Sequence, residues 1–187
     1  MPNWCFNKVT VKHKDVERIN FMLDSFKEGK FCEAVVPLPD GQWNYDFCVS
    51  NWGTKWDVGG QDADCNTPDP NTAIFYFDSA WAPPVAVYQA LCAMGYEVEA
   101  LYNEPGMAYC GKVVGNEEGF DDDYIEYAGA DSDTVRDIIG EELDDFFAIS
   151  ENMSEWEQTN DEIDEEVTEE ELVDELERIR NIGPHTD

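Results

Sequence analysis

Residues 72–114 read TAIFYFDSAWAPPVAVYQALCAMGYEVEALYNEPGMAYCGKVV, and their hydrophobic period changes twice. Thr72 to Phe77 is a run of β-branched and aromatic residues, the mark of a buried strand. Pro83 and Pro84 suit the first turn of a helix, Val87, Leu91 and Met94 give that helix one apolar face, and Gly95 supplies its stop. From Tyr96 to Tyr102 the pattern alternates, as expected of a strand with one wet face. Asn103 to Gly106 forms a turn, and Met107 to Val114 reads as the returning strand of a hairpin.

Outward from this stretch the same periods recur. Asn3 to His13 reads as a first strand. Lys14 to Glu28 reads as a helix with Val16, Ile19, Met22, Leu23 and Phe26 on one face and Gly29 at its end. Between them and Thr72 the pattern predicts an irregular connection over 31–40, the start of a short strand over Tyr45 to Ser50, and a long polar loop from Gly59 to Pro70. Phe120 to Tyr127 reads as a last strand with exposed acids. The order strand, helix, strand, strand, helix, strand predicts an α+β fold. It is the ferredoxin-like split βαβ arrangement, an antiparallel sheet with two helices on one face, over residues 1–128.

Charge divides the chain. Residues 1–60 hold eight acids and seven bases, whereas 116–187 hold 28 acids against Arg136, Arg178 and Arg180, a charge of −25 out of a total of −32. Between Thr134 and Ile149 the acids alternate with Val135, Ile138, Ile139, Leu143, Phe146 and Phe147, a helical stripe that needs a core to pack on. Thr168 with Glu171 forms a capping box ahead of a second stripe, Leu172, Val173, Leu176 and Ile179, before Gly183 and Pro184. Residues 129–187 are therefore expected to form an acidic helical appendage; the competing reading is a solvated acidic tail.

This balance makes nucleic acid or an anionic membrane a poor direct ligand and a basic protein the natural partner. The six cysteines form no CxxC pair and the chain has only two histidines, so no metal and no cofactor are expected. With no apolar leader and no run of roughly 18 to 20 apolar residues, a reduced cytoplasmic protein is expected. Catalytic motifs fail on inspection. GMAYCGKV (106–113) has the glycines and lysine of a phosphate loop, but Val113 replaces the magnesium-binding hydroxyl and the stretch lies in a hairpin. Asp62, Asp64 and Asn66 open like a calcium loop, yet Thr67 stands where its glycine belongs. Asp121 to Asp123 alternate faces and cannot converge on an ion. His13 sits between lysines and His185 near the terminus, so nucleophilic catalysis lacks a base. No enzyme is expected.

The block NWGTKWD (51–57) and Trp81 carry two readings. Trp52, Trp56 and Trp81 are core residues with Lys55 and Asp57 paired at the edge, or Trp52, Lys55, Trp56 and Trp81 form a patch that stacks a planar ligand.

MPNWCFN at the start, NWGTKWD, FDSAWAPP (77–84) and GMAYCG (106–111) together resemble the YubB or Api-type ferredoxin-like family of bacteriophages and conjugative plasmids. The resemblance covers about residues 1–128. It implies the ferredoxin-like fold and a mobile-element origin, brings no catalytic residues, and leaves the acidic segment as this chain's own specialisation.

From Asp161 to Glu177, 11 of 17 residues are acidic. On a helix of about 1.5 Å rise that is about one charge per 2.3 Å, against about one per 1.7 Å of duplex DNA. The expected function is a phage-type, non-enzymatic inhibitor that mimics nucleic acid. Its partner is a basic nucleic-acid-binding host protein of a restriction, CRISPR or other nuclease defence system. The carboxylates facing that partner are Asp121, Asp122 and Asp123 of the last strand and Glu141, Glu142, Asp144 and Asp145 of the first acidic helix, with Asp161, Glu162, Asp164, Glu165, Glu166, Glu169 and Glu170 of the second. The alternative is a small-ligand or peptide-binding module carrying a solubilising acidic tail.

Overall fold

β1 (Trp4–Lys12) buries every second residue, so Cys5, Asn7, Val9 and Val11 point to one face and Trp4, Phe6, Lys8 and Thr10 to the other. This strand is the axis of the computed structural model, which describes residues 3–61 and 63–160. β2 (Asp64–Asp69), β3 (Thr72–Ala80), β4 (Glu97–Glu104), β5 (Tyr109–Gly115) and β6 (Phe120–Glu126) complete a sheet of order β2-β3-β1-β4-β5-β6. Each neighbouring pair is antiparallel. β1 lies between β3 and β4, and β3 separates β1 from β2, which is the ferredoxin-like split βαβ order with a further hairpin strand pair added at the β4 edge.

On the first face lie α1 (Val16–Lys27), α2 (Phe31–Val35), α3 (Tyr45–Asn51) and α4 (Val85–Ala93). Asp15 caps α1 by accepting from the Glu17 N–H. The main core forms beneath them, where the Phe26 and Phe31 rings meet Phe75 at 4.7 and 5.2 Å and Tyr88, Leu91 and Trp52 are fully enclosed. α1 and α4 answer the periods read in the sequence, except that Val16 and Met94, expected on their apolar faces, are exposed and Met94 caps the end of α4.

Three segments differ from expectation. Tyr45–Ser50, expected to begin a strand, belongs to α3, because the Asn44 side chain accepts from the Phe47 N–H at 2.9 Å and starts a helix there. The connection after Phe31 contains α2, whose first N–H groups, on Cys32 and Glu33, donate to the Asp57 carboxylate at 2.7 and 2.8 Å. The polar loop of 59–70 contains β2, an edge strand that pairs with β3 through Asp64–Asn66 and shifts register before Asp69. Pro68 is tolerated there because an edge strand has one side without a ladder.

The stripe of 134–149 is also divided. α5 (Val135–Ile139) and α6 (Glu141–Phe147) are separated by Gly140 at φ 83°, and Ala148 at φ 52° turns the chain into a further helix, α7, over 149–160. These helices cover the second face of the sheet over β4 to β6. Val135, Ile139, Leu143 and Ile149 join Leu101, Cys110 and Tyr127 in a second buried cluster. Residues 129–160, expected as an appendage, thus share a core with the sheet. This also explains β4, whose expected wet face is confined to its first half: from Ala100 to Glu104 it is buried on both sides. The second stripe, Leu172 to Ile179, lies outside the described residues.

Candidate functional site

β6 is the last strand of the sheet, and its sequence FDDDYIE lays three consecutive carboxylates along that edge. Charge on an edge strand discourages further strand pairing. Register places Asp121 opposite Val114 and Asp123 opposite Lys112, on the second face, while Asp122 points to the first. There Asp122 accepts from the Tyr102 hydroxyl at 2.7 Å. Gly111, opposite Tyr102 on β4 and Tyr124 on β6, leaves the space for that hydroxyl: a Cβ there would meet the Tyr102 ring and hydroxyl and lie 2.6 Å from the Asp123 carbonyl oxygen.

α6 continues the acidic surface next to β5. Glu141 and Glu142 occupy its first turn, where the helix dipole favours negative charge. Glu142 accepts from Lys112 Nζ at 2.7 Å, and the same ammonium lies 3.5 Å from Glu99. Arg136 is the one basic residue of the sequence between 116 and 160, and it pairs with Asp144 at 2.7 Å and Asp145 at 2.8 Å. Lys112 and Arg136 are thus engaged with carboxylates of the ridge. Asp121, Asp123, Glu141 and Asp145 stay exposed.

Asp144, expected on this face, is buried at 2% exposure. Besides Arg136 it accepts from the Ser150 N–H at 2.7 Å and the Ser150 hydroxyl at 2.8 Å. Burial pushes its carboxyl up, but the Ser150 donors and the Arg136 guanidinium outweigh burial and hold it below the ordinary value. Its task is to tie α5, α6 and α7 together. Asp161, Glu162, Asp164, Glu165, Glu166, Glu169 and Glu170 lie outside the described residues.

The tryptophan patch separates into core and surface. Trp52 is 1% exposed and donates its indole N–H to the Val36 carbonyl at 2.8 Å, so it belongs to the main core. Trp56 tilts against Trp4 at 6.1 Å, with Lys55 Nζ over its ring at 4.4 Å. Trp81 sits at φ 78°, a rare conformation for a bulky residue, held by its N–H to Asn3 at 2.9 Å and by the Tyr109 hydroxyl on its carbonyl at 2.8 Å. Asp57, expected beside Lys55, instead caps α2. Burial pushes its carboxyl up despite the N–H groups of Cys32, Glu33 and Val58.

Of the weaker motifs, 106–113 forms a turn and the start of β5, Asp64 and Asn66 lie on β2, and Asp62 falls outside the described residues. His13 Nδ1 accepts from the Asp15 N–H at 3.0 Å. Among the described residues no three His, Cys, Asp or Glu side chains gather where they could hold a metal ion, and no helix is long and apolar enough to cross a membrane.

The sequence reading missed a groove of about 990 Å³ on the second face. α5 to α7 leave part of β1 and β3 uncovered, and the groove runs between Phe6 and Tyr76 of the sheet and Phe146, Met153 and Trp156 of α6 and α7. The signal was present in WCFNK, where Trp4 and Phe6 alternate with the core positions Cys5 and Asn7.

Residues 51–174 match the family model described as the ferredoxin-like domain in Api92-like protein. The match begins after α1 and runs through the acidic segment to residue 174, beyond the blocks of 1–128 that carry the resemblance. No curated protein matches the chain. Among solved structures, the crystal structure of protein api92 from Yersinia pseudotuberculosis is 24% identical over 46% of this chain and 30% of that chain, with a TM-score of 0.38. The chain thus spans under a third of that protein, and so loose a superposition carries no weight for fold or function.

Proposed function

The chain belongs to the family of ferredoxin-like domains in Api92-like proteins, and from that premise we propose that it is a non-enzymatic inhibitor acting as an acidic mimic of nucleic acid. Its target is a basic nucleic-acid-binding protein of a host defence or nucleic-acid-processing system, met in the host cytoplasm by a protein of phage or plasmid origin. The observation that carries the reading is the one-sided acidic surface of β6 and α6, continued in sequence by 161–177. The sheet supplies the rigid mount: Asp121 and Asp123 are fixed by the β5–β6 register, and Glu142 by Lys112.

A field of this sign raises the rate of encounter with a basic groove, and closely spaced carboxylates replace the phosphates that such a groove reads. Salt weakens the attraction, with a Debye length of about 8 Å at physiological ionic strength. Neutralising Asp161, Asp164, Glu165, Glu169 and Glu170 with Asn or Gln abolishes partner binding in this account. Binding of the neutralised chain at full strength would sink it.

A further inference from the structure

The groove on the second face shares α6 with the acidic ridge, but its chemistry is different. Phe6, Phe146 and Trp156 are 42%, 40% and 68% exposed, and Tyr76 and Met153 complete its apolar lining. Aromatic side chains left open in one concave place mark a contact surface. Two carboxylates border it. Glu157 is committed, since its two oxygens accept from the Ser132 N–H and hydroxyl at 3.0 and 2.6 Å. Asp78 lines the groove, and among the described residues no hydrogen bond or ion pair engages its carboxylate. Partial burial pushes its carboxyl up.

The lining already accommodates a cation at one point. Lys8 Nζ stands 4.8 Å from the centre of the Phe146 ring, so a positive group over these aromatic faces is compatible with the packing. A second copy of the chain is disfavoured as occupant, because two molecules of formal charge −32 repel one another. An anionic partner is disfavoured for the same reason. An apolar surface beside a carboxylate that no described residue engages, on a strongly acidic protein, is complementary to a segment that is apolar on one side and basic on the other.

We propose that the groove seats an amphipathic basic helix of the target protein, its apolar side chains between Phe6, Tyr76 and Trp156 and a flanking arginine or lysine on Asp78. This rests on the reading of a basic protein partner and names the part of it that is held by shape as well as by charge. The ridge supplies salt-sensitive attraction; the groove supplies selection for apolar residues at helical spacing.

Fluorescence anisotropy on the full chain tests it with two labelled peptides of equal length and equal arginine content. One carries leucines at positions i, i+4 and i+7, and the other carries serines in their place. The leucine peptide binds the chain about ten-fold more tightly than the serine peptide, a contrast of the size that a buried anchor gives. Trp156→Ala removes most of that preference, and so does Asp78→Asn, because an arginine reaches Asp78 only when the leucines seat the helix in the groove. Both sites are exposed, and either substitution tests the groove alone should the other fail to fold. Replacing Asp121 and Asp123 with Asn and Glu141 with Gln weakens both peptides alike and preserves their ratio. Equal binding of the two peptides, or a preference that survives Trp156→Ala and Asp78→Asn, overturns the groove and leaves the acidic reading standing. Absence of binding by either peptide overturns both. A dimer in sedimentation velocity that Trp156→Ala dissolves would identify a second copy as the occupant and overturn the proposal as well.

Discussion

Replacing Leu143 with alanine removes three carbons from the cluster that joins α5, α6 and α7 to β4 and β5. Leu143 is 4% exposed and packs with Leu101, Cys110, Val135 and Ile139. At about 0.8 kcal/mol per buried carbon the transfer loss is about 2.4 kcal/mol. The cavity left behind brings the cost to about 3 kcal/mol, inside the usual range for a buried leucine. In urea, with a slope of about 2 kcal/mol per molar for a domain of this size, the midpoint falls by about 1.5 M. Ile138→Ala is the control, because Ile138 belongs to the same sequence stripe but is 47% exposed; its cost stays under about 1 kcal/mol. Far-UV circular dichroism, which follows the helices, and near-UV signal from the enclosed Trp52 lose their structure in one coincident transition. A Leu143→Ala cost no larger than that of Ile138→Ala, or helices that melt before the Trp52 signal, would refute the claim that residues 135–153 are the second layer of the fold.

Three further outcomes follow from the same geometry. Gly111→Ala drives a methyl into the Tyr102 hydroxyl and the Asp123 carbonyl, overpacking that lowers Tm by roughly 5–10 °C; an unchanged Tm in differential scanning calorimetry contradicts the β5–β6 register. Asp144 titrates below its ordinary value of 3.8 in the folded chain, so its stabilisation is complete above that value and is lost as pH falls through the lowered one. The stability gap between the unaltered chain and Asp144→Asn, measured by urea unfolding from neutral pH downward, therefore narrows only in acid, and a gap independent of pH counts against the Arg136 and Ser150 contacts. Cys5 and Cys110 are buried, and burial pushes both thiols up to about 12. In the native protein a thiol reagent modifies the half-exposed Cys65 first and reaches Cys5 and Cys110 only on unfolding; prompt labelling of either contradicts their burial.

The elements that were legible in sequence are those whose signal is local. α1 and α4 show their apolar faces within one helix length, and β3 is a continuous apolar run. α2 and α3 escaped for different reasons. α2 depends on a cap from Asp57, 25 residues beyond Cys32. α3 starts at an asparagine whose capping role looks, in sequence, like an ordinary loop residue. β2 is polar, holds a proline, and exists because β3 offers it an open edge. The site shows the same limit. Composition locates the acids, but only packing separates Asp144, enclosed by Arg136 and Ser150, from its exposed neighbour Asp145. Likewise Trp52 and Trp56 sit four residues apart in one block, one in the core and one at the surface. The groove required knowing that α5 to α7 cover only part of the second face, which no local period reports.

If the acidic surface takes the place of nucleic acid on a basic protein, duplex DNA competes with it for the same groove. Host proteins captured by the immobilised full chain are challenged with duplex DNA and, separately, with raised salt, alongside a chain neutralised at Asp161, Asp164, Glu165, Glu169 and Glu170. The account predicts capture of a nucleic-acid-binding protein that both DNA and salt release and that the neutralised chain fails to hold. A captured protein that DNA leaves in place, or that the neutralised chain holds equally well, would contradict it.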